Sequence, residues 1–510
     1  MSIAVKSPSD KSSPLIEMVG DLDRFVREAA ATGAALRGVE QGIFDRLLKM
    51  GFGAVEQFLS LPGDGDLGET VSADDGQVLH RSAEPGSRGL RTIFGEHHFS
   101  AHVYRKRAHP NARIVFRPVD ARLSLSPHRW SHLLEEFTQL FSVEQAFAPA
   151  AKAFERVFRQ RLPVDTLEEV NERMGREAGE FLENLEPPPA QEEGELLILT
   201  CDGKGVPMVR EDALRLRCFE ERPQRPGNRR MATLAGVYSV NKFVRTPPQI
   251  LEALFRDGGG RLVPDVPRPE PCHKRIMARL PRLVAEADET KPVSGSLLAL
   301  CWAKGEVEQR RRPGQTLVCL IDGQSSLWGD AALCLEQVPK DERLEILDII
   351  PVSGYVWRAA KVFHPSRADQ EAFVRGRLGR ILAGEVKGVI RGLRQMASLR
   401  RVRVEGRTEI ETVCGYFTTH ADRMCYHKYL AAGCPIATGV IEGACRHLVK
   451  DRMERSGMRW TQTGAQGMLD VRAVHQSAYW DEFHRHRIDR QNQSTKPYQA
   501  LISRLTQLAA

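Results

Sequence analysis

No stretch of the chain approaches the roughly 18 apolar residues that a membrane helix needs, so a helix-spanning membrane protein is excluded and no membrane partner is expected. The opening residues, MSIAVKSPSD, carry no apolar core of the kind a secretory signal uses. The ten cysteines, at 201, 218, 272, 301, 319, 334, 414, 425, 434 and 445, include no CxxC pair, which removes support for a zinc ribbon or a redox dithiol. A disulfide scaffold is not expected in a long chain with no export signal. Aromatic residues make up only 7%. Of the tryptophans, Trp328, Trp357 and Trp460 read most simply as packing groups.

What is present is an ordinary soluble composition: 510 residues, 42% hydrophobic and 27% charged. At roughly 150 residues per domain, that length corresponds to about three or four units. The net charge of +7 is a mild basic excess, and its position matters more than its size. Lys387, Arg391, Arg394, Arg400, Arg401, Arg403 and Arg407 fall in one block against the single acid Glu405. Such a block is either a solvated face or a track for a polyanion.

Apolar spacings of three and four predict helices across 14–60, and alternation predicts strands across 91–126. Helical spacing returns from 128 to 185. Ser142 with Gln145 and Thr166 with Glu169 fit capping boxes there, and three such helices are compatible with a helix-turn-helix. LEPPPAQEEGE (185–195) reads as a linker, because three prolines in a row cannot continue a helix and the acids after them favour solvent. Beyond it, ELLILTCDG, VPMVR, MATLAGVYSV, QTLVCLIDG and LEILDIIPV read as five buried strands. Between the third and fourth of these runs, PQILEALFRDGGG and KPVSGSLLALCWAKGEVEQR read as helices. The segment 353–432 reads as helical and basic, 436–478 as one or two helices, and the tail after Tyr479 as polar and poorly ordered.

Two of the apolar runs end in Asp-Gly, at Asp202 and Asp322. An open α/β sheet places ligands at the carboxyl ends of its strands, although Asp-Gly is also a good turn dipeptide. A third acid, Glu442, lies in the first turn of GVIEGACRHLVKDRMER, among Ile441, Ala444 and Cys445. An acid in that position also suits the helix dipole. Three carboxylates converging from two strands and a helix would make a hard-oxygen site for Mg²⁺ or Mn²⁺. Two such ions about 4 Å apart suit in-line displacement at phosphorus, and a basic surface nearby would hold phosphates. His97, His98 and His102 fit no strong metal-ligand spacing. His420, Cys425, His427 and Cys434 come within reach of zinc-like spacing but suit packing better.

The segments LTCDGKGVPM, RRMATLAGVYSVNKFVRTP, EILDIIPVSGYVWRAA and above all GVIEGACRHLVKDRMERSGMRWT resemble bacterial insertion-sequence transposases of the ISKra type. These are DDE transposases with an RNase H-like core, distantly similar to Mutator-type elements, and the resemblance covers about residues 90–485. It implies an α/β RNase H-like core, a mixed five-stranded sheet with a helical insertion, and a mainly helical N-terminal region. It also implies binding of terminal inverted repeats, metal-dependent DNA cleavage and strand transfer. Asp202, Asp322 and Glu442 would hold two Mg²⁺ or Mn²⁺ ions, with Asp348 the alternative second acid. Relatives place an Asp-x-x-His motif after the fifth strand, whereas here Pro351 stands where the histidine is expected. Arg446, Lys450, Arg459, Arg400, Arg401 and Arg403 are the candidate phosphate contacts, and Trp460 is a candidate for stacking on an unpaired base.

The implied partners are double-stranded DNA and a second copy of the chain or a higher assembly. The implied location is the bacterial cytoplasm, at the nucleoid when bound to DNA. The implied domains are 1–85 (helical), 86–185 (end-binding), 186–195 (linker), 196–360 (first part of the core), 361–435 (basic insertion), 436–480 (acid-bearing helix) and 481–510 (polar tail). A domesticated DNA-binding protein without catalysis and an RNase H-like nuclease remain the alternatives.

Overall fold

The computed structural model describes residues 14–216, 227–255, 267–286 and 289–509. The opening decapeptide, Cys218 and the RDGGG end (256–260) of one expected helix lie outside the described residues. The chain divides into two compact units, Asn171–Trp480 and Met1–Val170 with Asp481–Ala510. This division falls inside the helix Val164–Glu183 rather than at the proline-rich segment.

The larger unit is built on a mixed five-stranded sheet: β1 (Leu196–Pro207), β2 (Arg229–Val240), β3 (Cys272–Arg279), β4 (Thr316–Ile321) and β5 (Arg343–Leu347). Its order is β5-β4-β1-β2-β3. β4 pairs parallel with both β1 and β5, while β2 is antiparallel to β1 and β3 to β2. Leu317 to Ile321 of β4 are at most 1% exposed, because helices cover both faces. A strand buried on both sides reads as one apolar run, which is why QTLVCLIDG is legible.

On one face, Leu197, Leu199, Cys201, Leu317 and Ile321 pack beneath α1 (Gly295–Arg310) and α2 (Ser325–Cys334). On the other, Leu196, Ile198, Val318, Leu320 and Ile346 meet a layer of basic helices. These are α3 (Ile349–Phe363), α4 (Arg367–Leu382), α5 (Val386–Leu399) and α6 (Val404–Thr419). Each fully buried aliphatic side chain contributes about 1.5–3 kcal/mol relative to exposure. α7 (Gly439–Ala444) and α8 (Gln462–Gln476) complete the unit.

Several local expectations differ from the structure. VPMVR is not a separate strand: its Val-Pro ends β1, which continues through the Asp-Gly pair as a long arm against β2. The strand in its place is β3, whose arginines disguised it in the sequence. LEILDIIPV splits, because Asp348 caps α3 by accepting from the Ile350 amide at 2.8 Å and so ends β5 at Leu347. Ser142 lies inside a helix that is capped by Ser131, and Thr166 lies inside one that starts at Val164.

The proline-rich segment is exposed at Glu186, Pro187, Gln191, Glu192 and Glu195 but anchored at its end. Glu193 pairs with the buried Arg310 at 2.7 Å, and Arg312 and Gln315 donate to the Gly194 carbonyl at 2.9 and 2.8 Å.

In the smaller unit, short antiparallel strands form a four-stranded sheet and a separate hairpin, Gly86–Thr92 with Gly95–Ala101. The tail is ordered there, contrary to expectation. Trp480–Ser494 and Gln499–Ala509 are helices, and Leu501 and Leu505 pack with Leu67, Leu79, Tyr104 and Phe116. Arg487, 2.7 Å from the buried Glu135, shows how a polar helix can still be held by a core.

Candidate active site

The strand register brings the acids together. Ile321 of β4 lies opposite Cys201 of β1 and Leu347 of β5, so the residues that follow, Asp202, Asp322 and Asp348, stand at one level on three adjacent strands. Alternation along a strand turns all three to the face that carries Ile198, Leu320 and Ile346. Asp202 does not end its strand, as the sequence suggested. It sits within β1 opposite Leu234, and the sheet edge is formed by the end of β4 beside it. Glu442 comes from α7, whose Ile441 packs over Gly236 of β2.

The charges report the same convergence. Burial raises the Asp322 carboxyl above its ordinary range, and the charges of Asp202 and Asp348 raise it further against the Gln324 amide bond. Burial also raises Asp348, against its bonds to Ile350 and Thr438, with Asp202 adding to the rise. Glu442 is exposed as a residue, yet partial shielding of its carboxyl and the charges of Asp348 and Asp202 push it upward. None of the four acids makes an ion pair among the described residues.

Their hydrogen bonds divide them. One Asp348 oxygen caps α3, and the other accepts from the Thr438 amide at 3.3 Å and from the Thr438 hydroxyl. Asp202 accepts from the Gly203 amide at 2.7 Å with the Cys445 side chain nearby, while Asp322 accepts from the Gln324 amide at 2.9 Å. Asp322 and Glu442 therefore keep oxygens without protein donors, whereas both oxygens of Asp348 are committed.

Among the described residues, no three His, Cys, Asp or Glu side chains close on one point tightly enough to ligate an ion as they stand. The donor set is nevertheless all carboxylate oxygen, with no side-chain cation among it, which fits a hard divalent cation in chemistry.

The basic candidates separate. Arg446 and Lys450 are exposed on the helical run that follows Glu442, with Arg446 3.9 Å from Asp451. That run passes through a π-helical stretch, Cys445–Lys450, whose His447 and Leu448 carbonyls accept from the buried Arg472. Arg459 is also exposed.

Arg400, Arg401 and Arg403 form the turn between α5 and α6. Arg403 lies 13 residues before Tyr416, hence about 20 Å along the α6 axis from the residue that packs on the Asp322 turn. The block is also less free than its sequence suggests, since Arg394 pairs with Glu411 at 3.1 Å.

Trp460 is not open to a base. It is 7% exposed, donates Nε1 to the Met453 carbonyl, has Arg452 over its ring, and exchanges backbone bonds with Pro207 and Val209 at the tip of β1.

Three contributors were missed. Tyr416 and His420 of the basic helical layer clasp the Asp322–Gly323 turn. A Cβ at Gly323 would stand 2.3 Å from the Tyr416 ring and hydroxyl, and His420 lies beside the Gly323 backbone. Tyr416 itself stacks on Tyr355 at 3.9 Å. Lys204 lies two residues beyond Asp202 on the same strand face, 4.0 Å from Glu454. Only the Lys of DGKG was visible beforehand, since nothing in the sequence joins residue 323 to 416. No protein-family model matches the chain, and no curated protein matches it.

Proposed function

We propose that this chain is a DNA transposase of an insertion sequence, a DDE-type polynucleotidyl transferase resembling the ISKra type with an RNase H-like core. The observation that supports the reading is that Asp202 and Asp322 stand at one level on one face of a mixed five-stranded sheet, with Glu442 close enough to feel the charges of Asp202 and Asp348, and that none of them makes an ion pair among the described residues. Carboxylates without ion-pair partners, two of them raised by burial and by neighbouring acids, are an unfavourable arrangement of the kind found at functional sites.

Bound divalent metal would activate an attacking oxygen and stabilise a leaving oxygen at phosphorus. The chain's own residues do the rest. Asp202, Asp322 and Glu442 supply the oxygens. Asp348, committed to the α3 cap and Thr438, buttresses the end of β5, so it is not the preferred second acid. Tyr416 packs against the Asp322 turn with His420 beside it, and Cys445 lies next to Asp202. Lys204, Arg446 and Lys450 offer charge to the phosphates of a strand crossing the site. The alternative histidine chemistry has no group here, because Pro351 occupies the first turn of α3. The smaller unit would recognise the terminal repeats, and two ends held together require a dimer or larger assembly.

The test is a plasmid carrying the flanking repeats, incubated with the full chain and Mg²⁺. Ends should be cut and joined to target DNA. Asp202→Asn, Asp322→Asn and Glu442→Gln should each lower cutting at least about 100-fold while end binding persists. Normal cutting by any one of them in folded protein would overturn the site.

A further inference from the structure

Beside α7, and apart from the four acids, lies a cavity of about 430 Å³. That volume is within the range of small-ligand sites, about 300–1,000 Å³. Its walls are mostly apolar, formed by Phe243, Val440 and Pro435 among others, and Tyr238 lies at its base. Two guanidiniums, Arg245 and Arg268, line the same space. Arg245 gives one nitrogen to the Cys434 carbonyl at 2.7 Å, but its Nε is buried with no acceptor. Burial, and secondarily the charge of Arg268, lowers Arg245 to about 10, which shows how poorly its charge is compensated. Glu270 is also in the lining, yet neither arginine forms an ion pair among the described residues.

Two unneutralised cations facing an apolar, aromatic-walled cavity are complementary to an anion with a flat apolar body. We propose that this cavity binds a nucleotide, its phosphate between Arg245 and Arg268 and its base against Phe243. The phosphate answers the charges of the two guanidiniums, whose planar forks suit bidentate recognition. The ring face of Phe243 tolerates any base. The pocket itself does not depend on the transposase reading. A strand as its source does, and α7 carries both Val440 of the pocket lining and Glu442.

The experiment is equilibrium binding of a fluorescent 5′-deoxymononucleotide to the full chain, with and without competitors. The expected result is specific binding that Arg268→Gln weakens about 10-fold or more, since Arg268 makes no other recorded bond. Arg245→Gln should act likewise, with its melting temperature followed because it also holds the Cys434 carbonyl. Phe243→Ala should weaken the nucleotide while leaving inorganic phosphate unaffected. Unchanged affinity in folded Arg268→Gln would overturn the proposal, as would inorganic phosphate or the bare nucleoside competing as well as the nucleotide.

Competition by single-stranded DNA supports a strand as the source, and competition by mononucleotide alone supports a free nucleotide. Asp202→Asn should bind the nucleotide normally. Loss of the pocket and loss of the catalytic reading are therefore separately visible.

Discussion

The same sheet carries acids at two places and treats them in opposite ways. Along β3, α1 and α8 every buried acid has a guanidinium. Arg275 meets Glu306 at 3.1 Å, Arg279 reaches Glu183 at 2.8 Å and also pairs with Asp470, and Arg310 meets Glu193 at 2.7 Å. At the ends of β4 and β5, and beside them on β1 and α7, the buried Asp348, the half-buried Asp322 and Asp202 and the exposed Glu442 have, among the described residues, only one another, backbone amides and a threonine. A buried carboxylate without a cation is costly, and this fold neutralises acids where architecture alone is at stake. The exception is the place where the proposed metal would supply the missing charge.

Breaking the paired set should have the largest effect. Asp470→Asn leaves the buried Arg279 short of its anion and should cost about 3–5 kcal/mol in chemical denaturation. Asp322→Asn should leave stability unchanged or raise it, because it relieves repulsion. Equal losses in the two variants would erase the distinction.

Divalent metal sharpens it next. At a concentration 100 times its dissociation constant, Mg²⁺ should stabilise the wild type by about 2.7 kcal/mol, read as a rise in melting temperature. It should do little for Asp202→Asn, and chelator should reverse the gain. A metal response that survives in Asp202→Asn would move the ion elsewhere.

Acid should act with opposite signs. The Asp322 carboxyl is raised from 3.8, so its charged form disfavours the fold at neutral pH, and that penalty fades as pH falls through the raised value. Any excess in the melting temperature of Asp322→Asn over wild type should therefore shrink on acidification. Glu193 is held below 4.5, because bonds from Arg310 and Ser239 and the Arg310 charge outweigh its burial. Its contribution is present above pH 4.5 and is lost as pH falls through its lower folded value. The deficit of Glu193→Gln should thus be full at pH 7 and shrink only below about pH 4.5. Signed melting-temperature differences of the two variants from wild type that move in the same direction on acidification would contradict the assignment.

The smallest effect concerns the basic turn. If Arg400, Arg401 and Arg403 touch phosphate, neutralising all three flattens the salt slope of log K by about two to three units, equally for end and random DNA. Their distance from the acids means that any such contact lies along flanking DNA, and cutting by a short end substrate should be unaffected.

How much was readable depended on burial and on spacing in the chain. β4 announced itself because both its faces are apolar, and the helical layer over the sheet did so through three-and-four spacing. β3 did not, because Arg275 and Arg279 read as surface residues until their partners on distant elements are known. The polar tail misled for the same reason, since Arg487 is kept inside only by Glu135, more than three hundred residues away in sequence. Trp460 followed a basic run and suggested an open stacking surface, but its indole is held at the tip of β1.

The sequence by itself determined the acids, the apolar runs that carry two of them and the helix that carries the third, because these are local matters of residue type and period. Only the tertiary structure decided the rest. The parallel register of β1, β4 and β5 sets Asp202, Asp322 and Asp348 at one level. Thr438 and the α3 cap occupy Asp348 and leave Asp322 oxygen to spare. The basic block ends a helix length away from the site. Register, hydrogen-bond commitment and distance are relations between residues far apart in the chain, and they exist only once burial has packed the sheet between its helices.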